Sequence, residues 1–343
     1  MNYEGIRLDK SMYKNEGGFS RMLEKLDPTS QYAGTDYAHL DAFQRQLKRF
    51  DIKVSGAHSD TIAKFFKTGD SSHLFPEYVA RAVAQGAKEA SILEEITASK
   101  TMIDSMDYRS LRTDLSGMPL TDTIAEGAAI PETNITLNEH LVELKKRGRL
   151  LCASYEAIKF QRVDVFTVAL RQIGAYISKA QLKDGVEALI DGNGSVPPAD
   201  VITCGSANLT YGDLLALWNQ FEDFEMNTLL CAPDMAAEVL KLEEFKNPQN
   251  SCGQNGCGQN GCGFPNTGAL ATPMGARLMK SAAVPAGKII ALDNRFALEM
   301  VCAGDIGVEY DKLIDTQLER AAVTAVYGFS KIFPDAVKVL ERQ

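Results

Sequence analysis

The residues best suited to metal or redox chemistry are seven cysteines, and three of them form a pattern. Cys252, Cys257 and Cys262 recur in CGQNGCGQNGCG at the spacing C-x4-C-x4-C. Thiolates so placed can hold zinc or iron–sulfur, but the usual spacings are tighter and supply a fourth ligand, and none is close here. Disulfides across a symmetry axis are a second reading, disfavoured in a reducing cytosol. The reading we adopt is a Gly- and Asn-rich loop lengthened by repeat expansion, without metal. Cys152, Cys204, Cys231 and Cys302 sit singly in apolar or strand-like stretches and read as small buried hydrophobes. His39, His58, His73 and His140 are scattered, with no His-x-x-Glu-His spacing, and read as surface or cap residues. Asp191-Gly192-Asn193-Gly194 contains G-x-G but follows a helical pattern, whereas a dinucleotide loop needs a strand before it and a helix after it. No G-x-x-x-x-G-K-S/T phosphate loop occurs. The expectation is therefore no catalytic residue, no cofactor and no metal ligand.

Composition narrows the class further. The chain has 343 residues, 45% apolar and 24% charged, which suits a globular protein of two or three domains. No apolar run approaches the ~18 residues needed to cross a bilayer, so no membrane partner is expected. The N-terminal MNYEGIRLDKSMYKNEGG mixes both charge signs and does not read as a signal peptide, which points to folding in a cytoplasm. A net charge of −9 argues against a dedicated nucleic-acid binder, which draws affinity from a basic surplus. It does not exclude an acidic wall around DNA.

The elements that would position any site follow from periodicity. Residues 1–75 hold short helical pieces with little apolar surface, which must pack on the same chain or on a neighbour. One is 39–52, with Leu40, Phe43, Leu47 and Phe50 at helical spacing; another is 59–67, capped by Ser59. Residues 77–90 predict a helix with Val79, Val83 and Ala87 on one face. Residues 107–152 are strand-like and enclose a polar tip with Gly117, Pro119, Gly127 and Pro131. They read as a long two-stranded arm, with a bulge where alternation shifts phase at Val142 and Leu144. Such an arm is marginal alone and makes sense lying across another subunit. Val163, Phe166, Leu170, Ile173, Ile177, Leu182, Val186 and Leu189 predict one helix over 163–190, roughly 40 Å long, with Ile173 mid-stripe. Beyond it, helices are expected over 211–222 and 233–242. Strands are expected at 227–231, 288–292, 298–303, 307–310 and 335–340, with 315–326 undecided.

In this order the elements resemble the major capsid proteins of tailed bacteriophages, the Hong Kong 97 type. The strongest match is TIAEGAAIPETNITLNEHLVELKKRGRLLCAS (123–154), similar to the family's A-E-G, P-E-S/T, I-T-F/L run. The helix ending in ALIDGNG is similar to the family's spine helix. The third match is 284–340, with P-x-G, D-I-x-V-E and F-P-D-A-V segments. The resemblance implies an α+β capsid fold. It has an N-terminal arm (1–75), a peripheral domain (76–204 and 298–325) and an axial domain (205–297 and 326–343). The peripheral domain carries the extended E-loop hairpin (104–152) and the spine helix (163–190). The Cys/Gly-rich loop (247–268) belongs to the axial domain.

Further expectations come with the resemblance. Copies would form pentamers and hexamers of an icosahedral shell around double-stranded DNA, assembled in the host cytoplasm. Scaffolding, portal and decoration proteins would be partners. Where cross-linking members carry a lysine after the A-E pair, this chain has Gly127, so non-covalent contacts are expected. The basic run Lys145-Lys146-Arg147-Gly148-Arg149 reads as a contact to DNA, as salt bridges to an acidic neighbouring subunit, or as a solvated strand face. The alternative function is an encapsulin-type nanocompartment enclosing a cargo enzyme.

Overall fold

The computed structural model describes residues 3–14, 18–113, 135–192, 196–206, 208–246, 270–271, 274–304, 306–313, 315 and 317–342. Helices α1 (Gly18–Leu26), α2 (Ala42–Arg49), α3 (Gly69–Ser72) and α4 (Leu74–Ala90) come first. Strands β1 (Ser99–Met102), β2 (Leu111–Thr113), β3 (Ile135–Leu137) and β4 (Lys145–Ser154) follow, then α5 (Tyr155–Phe160) and the long α6 (Val163–Asp191). After them come β5 (Asp200–Thr203), α7 (Tyr211–Trp218), β6 (Thr228–Cys231), α8 (Pro233–Val239), α9 (Glu243–Lys246), β7 (Leu270–Ala271) and β8 (Arg277–Lys280). The chain finishes with β9 (Lys288–Leu292), β10 (Leu298–Cys302), β11 (Gly307–Leu313), β12 (Leu318–Lys331) and β13 (Val337–Glu341). The mixture is α+β. Among the described residues no helix is long and apolar enough to cross a membrane.

The chain divides into two compact units, and the first comprises Met1–Ser91, Lys146–Ser178 and Asp305–Ala325. Its N-terminal pieces build a core of their own from Leu8, Met12, Phe19, Leu23, Phe43 and Leu47. Inside it lies a fully buried ion pair: Arg45 Nε donates to Asp27 Oδ2 at 2.6 Å. The remaining Arg45 donors reach the carbonyls of Leu40 and Asp27, and Tyr32 donates to Asp27 Oδ1. With each charge multiply bonded, the desolvation penalty is offset. Asp41 caps α2 in a reciprocal capping box with Gln44. The described residues of this segment therefore build a core within their own chain, and Arg81 of α4 ties α2 in place by binding Asp41 at 2.6 Å and stacking on Phe43.

α4 and α6 cross at close range. A Cβ on Gly86 would overlap the Arg171 backbone, and one on Gly174 would overlap Val83 and Ala87. The two helix backbones thus touch directly. β11 runs antiparallel to the opening stretch of β12, from Gly307↔Thr324 to Leu313↔Leu318. β4 also pairs with β12.

The second unit comprises Ile92–Lys145, Lys179–Gly304 and Val326–Gln343. Its six-stranded sheet has the order β5-β13-β9-β6-β8-β7. The central β6 is buried along its whole length, as expected of a strand covered on both faces. β1 pairs in parallel with β10, which runs antiparallel to the closing stretch of β12. Leu182, Val186 and Leu189 bury one face of α6 here. The helix ends at Gly192, whose positive φ of 74° and lack of a side chain let its amide reach the Ala188 carbonyl.

Several sequence expectations need correction. Ile173 is only half-buried, while Val163, Leu170 and Ile177 are fully buried. Their seven-residue spacing, with Gly174 beside them, marks the true inner seam, and Ile173 lies on its flank. Leu170→Asp should therefore unfold the chain or abolish soluble yield, a loss of several kcal/mol from an unpaired buried charge. Ile173→Asp should be clearly milder, and urea unfolding of both variants checks the ranking. Ser59 caps no helix: a 3-10 turn at Ile62–Phe66 follows Thr61, and the Ser59 hydroxyl instead accepts from Arg162. α7 stops at Trp218 and α8 at Val239, each shorter than expected. The undecided 315–326 segment proves to be strand from Leu318 onward, where β12 begins.

Candidate functional site

The candidate site is the surface through which copies of the chain would touch, and its most distinctive part is the base of the arm. β2 and β3 pair antiparallel, Leu111↔Leu137 to Thr113↔Ile135. That register and the two-residue strand period put Leu111, Ile135 and Leu137 on one face. They are 53%, 65% and 60% exposed. Three large apolar side chains on one face of a two-stranded ribbon are left in solvent by their own chain, and a neighbour would cover them. The arm is shorter in strand than the sequence implied. Residues 138–144 are not strand, and β4 pairs with β12 instead of extending the arm. The phase shift at Val142 is no bulge: Val142 turns inward and is buried, its amide bonded to the Tyr108 carbonyl at 2.8 Å. The tip, with Gly127, lies outside the described residues, as does the Cys252, Cys257, Cys262 repeat.

The arm is rooted by one carboxylate. Glu299, buried on β10, accepts from Thr101 Oγ1 at 2.7 Å, from Tyr108 OH at 2.6 Å and from Ser110 Oγ at 2.7 Å. Thr101 belongs to β1, and Tyr108 and Ser110 immediately precede β2. Burial, reinforced by the bond to Glu299, pushes the Tyr108 hydroxyl above its ordinary range, so it stays a donor. The Asn138 amide bonds the Ser110 carbonyl at 2.9 Å and closes the root from the return strand. Sequence reasoning passed over Glu299. The signal was there: a lone acidic residue in the apolar run FALEMVCA needs buried partners.

The basic run is used partly within the chain. Lys145 reaches Glu187 at 3.3 Å and Asp184 at 3.8 Å. Arg149 stacks on Tyr176, its guanidinium carbon 3.9 Å from the ring centroid. Gly148 lies against β12, where a Cβ would sit 2.6 Å from the Val323 carbonyl oxygen. Lys146 stands exposed. A second buried cation was also missed. Lys331 at the end of β12 is almost fully buried and donates to the Pro197 carbonyl at 3.0 Å, and burial pushes its amine down to about 8.

The four histidines and the four described cysteines do not come together in one cluster. His39, His58 and His140 are exposed and His73 half-buried, one residue before α4. Among the described residues no group of His, Cys, Asp and Glu could hold a metal ion. Cys204, Cys231 and Cys302 are buried as expected, but Cys152 is exposed, because the outer part of β4 has little covering it. Alkylation of the native protein followed by peptide mapping should label Cys152 quickly and leave Cys231 unlabelled, since burial also pushes the Cys231 thiol up.

Residues 138–333 match the phage capsid protein family. The chain belongs to that family. Solved structures agree on the fold. The capsid of a native GTA particle superposes with a TM-score of 0.52 at 16% identity, covering 74% of this chain and 90% of that one. Microbacterium phage Oxtober96 gives 0.52 at 11% identity, covering 74% and 91%. The virus-like particle from Pyrococcus furiosus gives 0.50 at 13% identity, covering 77% and 98%. No curated protein matches the chain. The fold is thus the Hong Kong 97 type of tailed-phage capsids, and the protein is a structural capsid protein. The long helix expected over 163–190 is present as α6, Val163–Asp191.

Proposed function

We propose that many copies of this capsid chain close into an icosahedral shell of pentamers and hexamers around double-stranded DNA. The supporting observation is the arm: a ribbon fixed at its root by Glu299 and offering an apolar face its own chain leaves open. A rigid root with an uncovered face is what an inter-subunit clasp requires, and closed symmetry lets every copy satisfy every other. In this reading residues 1–75 are the N-terminal arm, 76–204 with 298–325 the peripheral domain, and 205–297 with 326–343 the axial domain. A scaffolding protein, a portal and a decoration protein are the partners, assembly takes place in the host cytoplasm, and the chain carries out no catalysis. An acidic chain of net charge −9 encloses DNA without gripping it.

Expression of the full chain, alone and with a candidate scaffolding protein, followed by negative-stain microscopy, tests this directly. Closed shells holding nuclease-protected double-stranded DNA after packaging are the expected result. Shells that hold a protein cargo instead would make the chain a nanocompartment. A chain that stays monomeric with scaffold present would overturn the proposal. Because Gly127 has no side chain to cross-link, mature particles boiled in detergent and reductant should run as single chains. A ladder of covalent oligomers would refute that part.

A further inference from the structure

A preformed cavity of about 520 Å³ opens in the second unit, lined by Trp218, Phe221, Phe224, Glu225, Met226, Asn227 and Met274 among others. It lies within the size range of small-ligand sites. Its floor is rigid. The turn after α7 is held by the Asn219 and Phe221 amides, bonded to the Leu215 and Trp218 carbonyls. Phe224 packs against Phe296 and Phe333 at centroid distances of 5.7 and 5.6 Å. The Glu225 amide is fixed by Asp293 Oδ2 at 3.1 Å, and the Asn227 carbonyl accepts from Arg277. Trp218 nevertheless stays 49% exposed.

Exposed carboxylates predominate around this aromatic cavity, and Arg295 is a basic side chain that reaches its rim. Residues 184–240 contain ten acidic side chains and no lysine or arginine. Several are matched from elsewhere in the chain: Asp200 by Lys338, Asp234 and Glu238 by Arg342. Glu222 and Asp223 stand exposed on the turn that carries Phe221 and Phe224. Glu225 is 76% exposed although Arg295 reaches it at 2.8 Å. Aromatic faces attract cations through their quadrupoles, and a carboxylate at the rim adds a counter-charge. A phosphate or nucleic acid would be repelled by the same rim.

We propose that this cavity is a docking site for a cationic side chain, arginine or lysine, presented by a basic segment of a partner protein. The guanidinium or ammonium group lies against Trp218, Phe221 and Phe224 while Glu222, Asp223 and Glu225 hold the flanking positive charge. Trp218 is the only tryptophan, so its fluorescence reads the site without a label. The test titrates the full-length protein with the peptide acetyl-Gly-Arg-Gly-Arg-Gly-amide and with the same peptide carrying neutral citrulline. The expected result is a saturable change in Trp218 emission with the arginine peptide, weakened at least tenfold by citrulline and by raised salt. The combined variant Glu222→Gln, Asp223→Asn, Glu225→Gln should lose it while keeping its melting temperature. No saturable response to the arginine peptide, an equal response to citrulline, or a response that survives in the variant would each overturn the proposal.

Discussion

Gly174→Ala is expected to destabilise the protein by about 2 kcal/mol or more, although alanine is the better helix former. In an exposed helix interior the exchange would gain about 1 kcal/mol. At Gly174 the new methyl group would overlap the Val83 carbonyl of α4, and no rotamer change can move a backbone atom aside. The helices must separate, opening the seam of Val79, Val83, Leu170 and Ile177, all essentially fully buried. Overpacking of this kind costs about 1–3 kcal/mol, and more where backbone has to shift. Gly86→Ala, which meets the Arg171 backbone from the other side of the crossing, should behave alike. Gly185→Ala is the control on the same helix: its Cβ would meet the Phe329 ring at 3.4 Å, an ordinary contact, so it should be neutral or slightly stabilising. Chemical unfolding of the three variants reads the contrast. If Gly174→Ala matched Gly185→Ala, the helices would not cross at Gly174.

The second large effect is expected at Glu299. Replacing it by alanine leaves the hydroxyls of Thr101, Tyr108 and Ser110 without their shared acceptor. Hydrogen bonds to a charged group contribute about 1.5–3 kcal/mol each, and water can replace only part of that in a buried site, so a total loss of about 3–5 kcal/mol follows. The loss should be local as well as global. Amide exchange should quicken at residues 108–113 and 135–142, and shells should fail to form because the arm is no longer held at one angle. Glu299→Gln keeps one accepting oxygen but presents an amide to the others, so it should fall between. Normal shells and unchanged exchange in Glu299→Ala would show that the arm is positioned by something else.

The sequence by itself determined the local elements and the family. The long helix was legible because its apolar residues recur at helical steps for eight turns and Gly192 allows no continuation. The family was legible because A-E-G, P-E-T, the helix and the late strands occur in one order, and the match over 138–333 confirms it. Periodicity reports which face of an element is apolar, but not which part of that face is covered. Ile173 and Ile177 looked equivalent on the stripe, and only the approach of α4 at Gly174 decided that one is flank and the other core. Cys152 looked buried for the same reason, since alternation on β4 does not tell which faces find a neighbour. The 315–326 segment stayed undecided until β11 and β10 supplied partners, because a strand is defined by hydrogen bonds to residues distant in sequence. Long-range polar pairing was equally hidden. Thr101, Tyr108 and Ser110 carry no local sign that they share a carboxylate at 299, nor Arg45 that it answers Asp27. Those pairings exist only once the chain has folded, because burial makes an unmatched charge too costly to keep.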